Sequence, residues 1–280
     1  MASTLKLPGI SIYKAYTTFN DTYTSLKRIL NDNPNIKITA EVNHQNNAIN
    51  VDLILNPTRV IIFGNPNLGT PLMQKNQLTG LDLPQKILIY ENDKKEVNLS
   101  FNNIDYLIER HQLNEISTLN KIAKALDTIV TSAGGNKVVG LENDKINSDF
   151  FIINKNSKKS FEETYSGLKE LIEKNSNLKI ITEVDHQQNA SNNGLPLRPT
   201  KLIIFGNPKL GTPLMQSKVT TALDLPQKVL IWVDKSNKVT ISYNNPDLFI
   251  SRHEIDENDL YLNKIKAALD KITDVAGGIE

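Results

Sequence analysis

Apolar positions recur along this chain at two spacings, and the order in which the spacings alternate is itself used twice. The segment Ile10-Ser-Ile-Tyr-Lys-Ala-Tyr16 alternates and predicts a strand. Phe19, Tyr23, Leu26 and Leu30 then follow at intervals of four, three and four, which predicts one face of a helix with Lys27 and Arg28 turned to water. Asn33-Pro34 ends that helix, because proline disfavours helical geometry in the residue before it. Alternation returns with Ile36, Ile38, Ala40 and Val42 on one side and Lys37, Thr39 and Glu41 on the other. After a loop from Asn46 to Pro57, Val60-Ile-Ile-Phe63 and Ile87-Leu-Ile-Tyr90 are apolar on both faces, whereas Val97-Asn-Leu-Ser-Phe101 alternates cleanly. A turn rich in Asp, Asn and Lys joins the last two strands as a hairpin. A long helix from Ile116 to Thr131 precedes Gly134-Gly135, a pair suited to a left-handed helix cap.

The same series begins again at Phe150-Phe-Ile-Ile-Asn154 and runs to a helix over about Asp259 to Ala276, followed by Gly277-Gly278. Ile61 to Gln74 returns 142 residues later as Ile203 to Gln216, with Lys209 in place of Asn67 as the only change. The chain is therefore an internal duplication, with expected units 1–135 and 149–280 and a linker over 136–148. Each unit is large enough to hold its own core. The order strand, helix, four strands, helix predicts an α+β fold in which an antiparallel-rich sheet carries two helices on one face. Strands apolar on both faces require cover on the other side too. The second copy is the economical cover and gives a pseudo-twofold pair within one chain; contacts in a homo-oligomer are the alternative.

Charge narrows the function classes. Residues 1–142 hold 14 basic and 13 acidic side chains and residues 143–280 hold 18 of each, so neither half has the basic excess that counterion-releasing binding to nucleic acid needs. The chain lacks cysteine, which removes disulfides, thiolate nucleophiles and Cys-ligated metals. No apolar run approaches the length of a membrane span, so a soluble protein is expected, cytoplasmic or exported with its signal removed.

A set of short motifs also repeats: Glu41-Val-Asn-His44 with Glu183-Val-Asp-His186, Pro-Thr ahead of Phe-Gly-Asn-Pro, Leu81-Asp-Leu-Pro-Gln-Lys86 with Leu223-Asp-Leu-Pro-Gln-Lys228, and Arg110-His111 with Arg252-His253. In this order they resemble the domain-of-unknown-function 302 family, present here as two copies over almost the whole chain. The resemblance implies a compact shape like that of the TATA-binding protein and no established activity. Family members commonly show Leu-Arg-Pro-Thr; this chain keeps Leu197-Arg198-Pro199-Thr200 but has Leu55-Asn56-Pro57-Thr58, which confines any role of that arginine to the second copy.

Two constellations are chemical candidates. The first is the Gly-Asn-Pro turn: Gly64, Asn65 and Thr70, with Gly206, Asn207 and Thr212 in the second copy. Thr70 and Thr212 are expected to cap a helix whose first residue is Pro71 or Pro213. Free amides at such an end could hold a phosphate or carboxylate, assisted by Lys86 or Lys228, unless the stretch is only a structural turn. Neither a P-loop nor a dinucleotide fingerprint is present. The second candidate is the set of repeat-matched histidines, His44 with His186 and His111 with His253, read either as neutral core imidazoles or as metal or haem ligands. Glu41 and His44, three apart on a strand, point to opposite faces. Asp82 and Asp224 stand in turns, where a carboxylate commonly bonds local backbone.

The sequence thus favours a non-enzymatic protein that binds a small ligand or assembles with itself through paired repeats. A metal- or haem-binding protein or enzyme built on the histidines is the alternative, and the cofactor is otherwise undefined.

Overall fold

The computed structural model describes residues 7–138, 151–257 and 259–279. The first repeat runs β1 (Ile10–Ala15), α1 (Phe19–Asp32), β2 (Lys37–Asn43), α2 (His44–Ile49), β3 (Thr58–Gly64), α3 (Pro66–Lys75), β4 (Gln85–Glu91), β5 (Val97–Asn102), α4 (Ile104–His111), α5 (Leu119–Ser132) and β6 (Gly135–Lys137). The second repeats this order as β7 (Ile152–Asn156), α6 (Phe161–Glu173), β8 (Lys179–Asp185), α7 (His186–Ser191), β9 (Thr200–Gly206), α8 (Pro208–Ser217), β10 (Gln227–Val233), β11 (Val239–Asn244), α9 (Asp247–His253) and α10 (Leu260–Gly277). A 3-10 turn follows α3 at Gln77–Leu81 and α8 at Val219–Leu223.

The predicted framework of strand, helix, four strands and helix is present in both copies, with shorter helices set into its connections. α1 begins where the side chain of Thr18 accepts from the Asp21 amide, and α6 where Ser160 and Glu163 form a reciprocal capping box. The helix predicted to end at Asn33-Pro34 does so, with Asn33 extended. α10 ends on Gly278 at φ +64°, a left-handed cap, whereas α5 ends on Ala133 and Gly134 takes the positive φ of +96°. Asn136 and Lys137, expected in the linker, form part of β6 beside β1, the Val138 amide donates to the Ile12 carbonyl at 2.9 Å, and residues 139–150 lie outside the described residues.

All strand pairs are antiparallel, in the order β2-β3-β4-β5-β1-β6 for the first sheet and β7-β11-β10-β9-β8 for the second. β2 departs from its predicted single-faced alternation. Ile38 pairs with Phe63 but Ala40 pairs with Ile62, so Thr39 is a bulge. An extra residue reverses the side-chain parity beyond it. Ile36 and Ile38 consequently pack on the helix side, and Ala40 and Val42 on the opposite side. The same shift occurs between Ile180 and Thr182.

The doubly apolar strands are explained by burial on two sides. Ile61, Phe63, Ile87 and Ile89 face α1 and α5, whereas Val60, Ile62, Leu88 and Tyr90 join a core that includes Leu202, Ile204 and Leu230 of the second repeat. The second copy covers the first. Reciprocal hydrogen bonds mark the pseudo-twofold relation: the amide of Gln74 donates to the Pro196 carbonyl and that of Gln216 to the equivalent Ile54 carbonyl, both at 2.8 Å. An isologous contact of this kind makes each interaction appear twice. Some interactions depart from this symmetry. Arg198 donates through Nη2 to Gln77 Oε1 at 2.8 Å, whereas the first repeat has Asn56 at the arginine's position and the second has Val219 at the glutamine's.

Candidate functional site

The repeated turn builds one wall of a cleft at the junction of the two repeats. Asn65 is extended and its Oδ1 accepts from the Asn67 amide at 3.0 Å, so α3 starts at Pro66 rather than at Pro71. α8 starts in the same way, at Pro208 behind Asn207. Thr70 and Thr212 are therefore inside their helices and cap nothing. The amides at this end are also engaged, since those of Leu68 and Gly69 both donate to the Asn65 carbonyl at 3.0 Å. The anticipated cradle of free amides is absent there, because asparagine supplies the cap five residues earlier than expected.

Gly64, Asn65 and Thr70 nevertheless come together on a cleft of about 160 Å³, closed on one side by Ile122, Ala125 and Ile129 of α5. The second repeat contributes Val184, His186 and Asn189. Gly206, Asn207 and Thr212 occupy the equivalent place, divided into adjoining spaces of about 50 and 80 Å³, with His44 contributed by the first repeat. The same polar atoms are left over in both. Among the described residues, Thr70 Oγ1 and Gln85 Nε2 are buried without a hydrogen-bond partner in the first cleft, as are Thr212 Oγ1, Gln227 Nε2 and His44 Nε2 around the second. A buried polar atom without a partner is costly, and at both clefts a threonine and a glutamine at equivalent positions carry one; Thr79 and Thr221, which line neither cleft, share the feature.

Lys86 and Lys228 are not part of the clefts. They follow Gln85 and Gln227 on β4 and β10, and successive strand residues face opposite ways. Both lysines are buried between the repeats, where Lys86 Nζ donates to the carbonyls of Leu223 and Leu225 at 3.2 and 3.3 Å and Lys228 Nζ donates to Asp82 Oδ1 at 3.2 Å. Asp82 is the hub of a buried network rather than a local backbone acceptor. Its Oδ2 accepts from Arg110 Nη1 and His111 Nε2, each at 2.8 Å, while Arg110 Nη2 reaches Asn244 Oδ1 of the second repeat at 2.8 Å. The mirrored network joins Asp224 to Arg252 and His253, and Arg252 reaches Asn102.

Burial and charge compete at each of these groups. Burial would raise the Asp82 carboxyl, but Arg110, Lys228 and His111 together hold it well below the usual carboxylate range. Asp224 is likewise held low against its burial by Arg252 and His253. Burial pulls the Lys86 ammonium down to about 7, Lys228 adds to the fall, and Asp224 and Asp82 oppose it. Burial also lowers His44 to about 3, helped by Lys86, and His186 to about 4.

The four histidines divide into two kinds. His111 and His253 are carboxylate partners in the networks; burial lowers both despite the neighbouring aspartates. His44 and His186 start α2 and α7, capped by Asn43 and Asp185, and project into the partner repeat's territory. Their place at a helix start replaces the predicted strand position and loop. His186 Nε2 donates to the Gly80 carbonyl at 3.1 Å. Glu41 lies on the opposite face of β2, accepting from Tyr23 and paired with Lys27 at 2.8 Å. Among the described residues, no three His, Asp or Glu side chains converge as a metal would require.

Gln85 and Gln227 were not singled out by sequence, although both stand inside the repeated Leu-Asp-Leu-Pro-Gln-Lys motif that also carries the network aspartate and lysine. The motif serves two sites through one strand's alternation.

The chain belongs to the family described as domain of unknown function DUF302, which matches residues 12–132 and 153–274. It is 41% identical over 106 residues to "Fluoride-specific ion channel FluC 1" of Brucella suis biovar 1 (strain 1330), covering 38% of this chain and 42% of that protein. The same identity and length relate it to "Fluoride-specific ion channel FluC 1" of Brucella abortus biovar 1 (strain 9-941), covering 38% of this chain and 39% of that protein. The chain spans about two fifths of the length of these curated relatives. Among the described residues no helix is long and apolar enough to cross a membrane. A solved structure, an uncharacterized conserved DUF302 protein from Bacillus stearothermophilus, is 16% identical with a TM-score of 0.37, covering 46% of this chain and 96% of that one.

Proposed function

We propose that this protein is a non-enzymatic small-ligand-binding protein, and that its two clefts at the junction of the repeats are the binding sites. The carrying observation is that the same two polar atoms, a threonine hydroxyl and a glutamine amide, are left buried and unpartnered at each cleft. Concave, mostly apolar spaces with a few convergent polar groups are the usual form of a ligand site. Each cleft draws a wall from both repeats, so duplication within one chain fixes the two walls against each other. The buried ionic networks act as the fasteners of that arrangement, and no step of chemistry is assigned to them.

Native mass spectrometry of the untagged full chain, purified without chelator, tests this reading. A retained small-molecule mass, lost on Ala125→Trp, which fills the first cleft from α5, supports it. An apo mass that stays unchanged across a broad panel of small organic compounds contradicts it.

A further inference from the structure

From the chemistry of the first cleft, and resting on the binding reading above, we infer that its ligand is a single-ring monocarboxylate: an apolar body with one anionic acceptor group. The polar groups left open there ask for an acceptor. Gln85 Nε2 is a donor only, and Thr70 Oγ1 can donate. Among the described residues, Lys37 is the only charged side chain lining the first cleft, its equivalent Lys179 stands at the second site, and no carboxylate lines either cleft. A cation would meet no carboxylate among these lining residues. Most of the remaining wall is apolar, with Ile36, Phe63 and Leu68 beside Asn33, Asn65, His186 and Asn189, so the bulk of the ligand's body is apolar as well.

Size sets the other limit. An apolar protein cavity of about 150 Å³ holds a benzene-sized molecule, and the first cleft is about 160 Å³. The second is divided into about 50 and 80 Å³, and Ile181 lines it where Thr39 lines the first. The first cleft therefore takes the ring more readily, and the chain binds with two unequal affinities, the weaker one improved by Ile181→Thr.

Calorimetric titration of the full chain with benzoate, benzamide, toluene and benzylamine tests the assignment. Benzoate binds tightest. Lys37→Gln and Thr70→Val each weaken benzoate about tenfold and leave toluene unchanged. Removing an unpartnered buried hydroxyl leaves folding intact, so Thr70→Val reads binding alone. Equal binding of toluene and benzoate, indifferent to both substitutions, overturns the carboxylate class while leaving the clefts as binding sites. Tightest binding of benzylamine overturns the class in the same way. If none of the four binds, the class is overturned, and if a wider panel of neutral compounds also fails, the binding reading falls with it.

Discussion

Arg110, fully buried in the first repeat, bonds Asn244 of the second at 2.8 Å with one nitrogen and Asp82 of its own repeat at 2.8 Å with another. A guanidinium offers a fixed fork of donors, so orienting it on Asp82 aims its free arm across the interface. Tyr106 supports it, its hydroxyl accepting from Arg110, while Arg252 stacks over the same ring at 4.3 Å from the opposite network. Truncating the acceptor at the hub, Asp82→Ala, leaves Arg110 and Lys228 without their counterion. The expected loss is about 3–5 kcal/mol, read by urea unfolding at neutral pH. Asp224→Ala should cost a similar amount through Arg252.

Acid should destabilise the fold early. His44 and His186 have folded values of about 3 and 4, below the ordinary 6.5, so the unfolded chain binds protons first. Stability is then full above about 6.5 and falls as pH drops toward 4, by a few kcal/mol in all. The low-lying Asp82 and Asp224 extend the loss, since the stability their ionised forms contribute disappears as pH falls through their folded values. Urea midpoints measured from pH 7 to pH 4 should show this slope, and His44→Gln with His186→Gln should flatten it.

Lys86 continues the same trend on the alkaline side. Its folded value of about 7 against an ordinary 10.5 means that burying the charge costs most below pH 7, and that the cost fades as pH rises toward 10.5. Lys86→Met should therefore stabilise the protein at pH 6, by an amount of order 1–4 kcal/mol, and by less at pH 9. Thermal unfolding at the two pH values measures the difference.

Much of the fold was legible because the duplication let each element be read twice. The doubly apolar β3 and β4 announced cover on two sides, and the inter-repeat core supplies it. Local bonding was harder to read. The bulge at Thr39 leaves a strand pattern that looks like simple alternation, and His44 looks like a strand residue until the Asn43 side chain is seen turning the chain into α2. Thr70-Pro71 reads as a helix start by sequence, and the bond from the Asn67 amide to Asn65 moves that start to Pro66. The cleft was half legible. Its turn residues repeat visibly, but Lys86 and Gln85 exchange roles because strand parity, set by neighbours distant in sequence, points the glutamine into the cleft and the lysine into the interface.

Methionine methyl groups give the most direct test of the central claim that the clefts bind a ligand. The chain has three methionines, and Met73 lines the first cleft while Met215 lines the second. Carbon-13 methyl labelling with benzoate titration should shift the Met73 signal at lower concentration than the Met215 signal, with assignments from Met73→Leu and Met215→Leu. Ala125→Trp should abolish the Met73 response. Signals of both methionines that stay fixed throughout, with benzoate and with a panel of other small apolar compounds, would contradict the account.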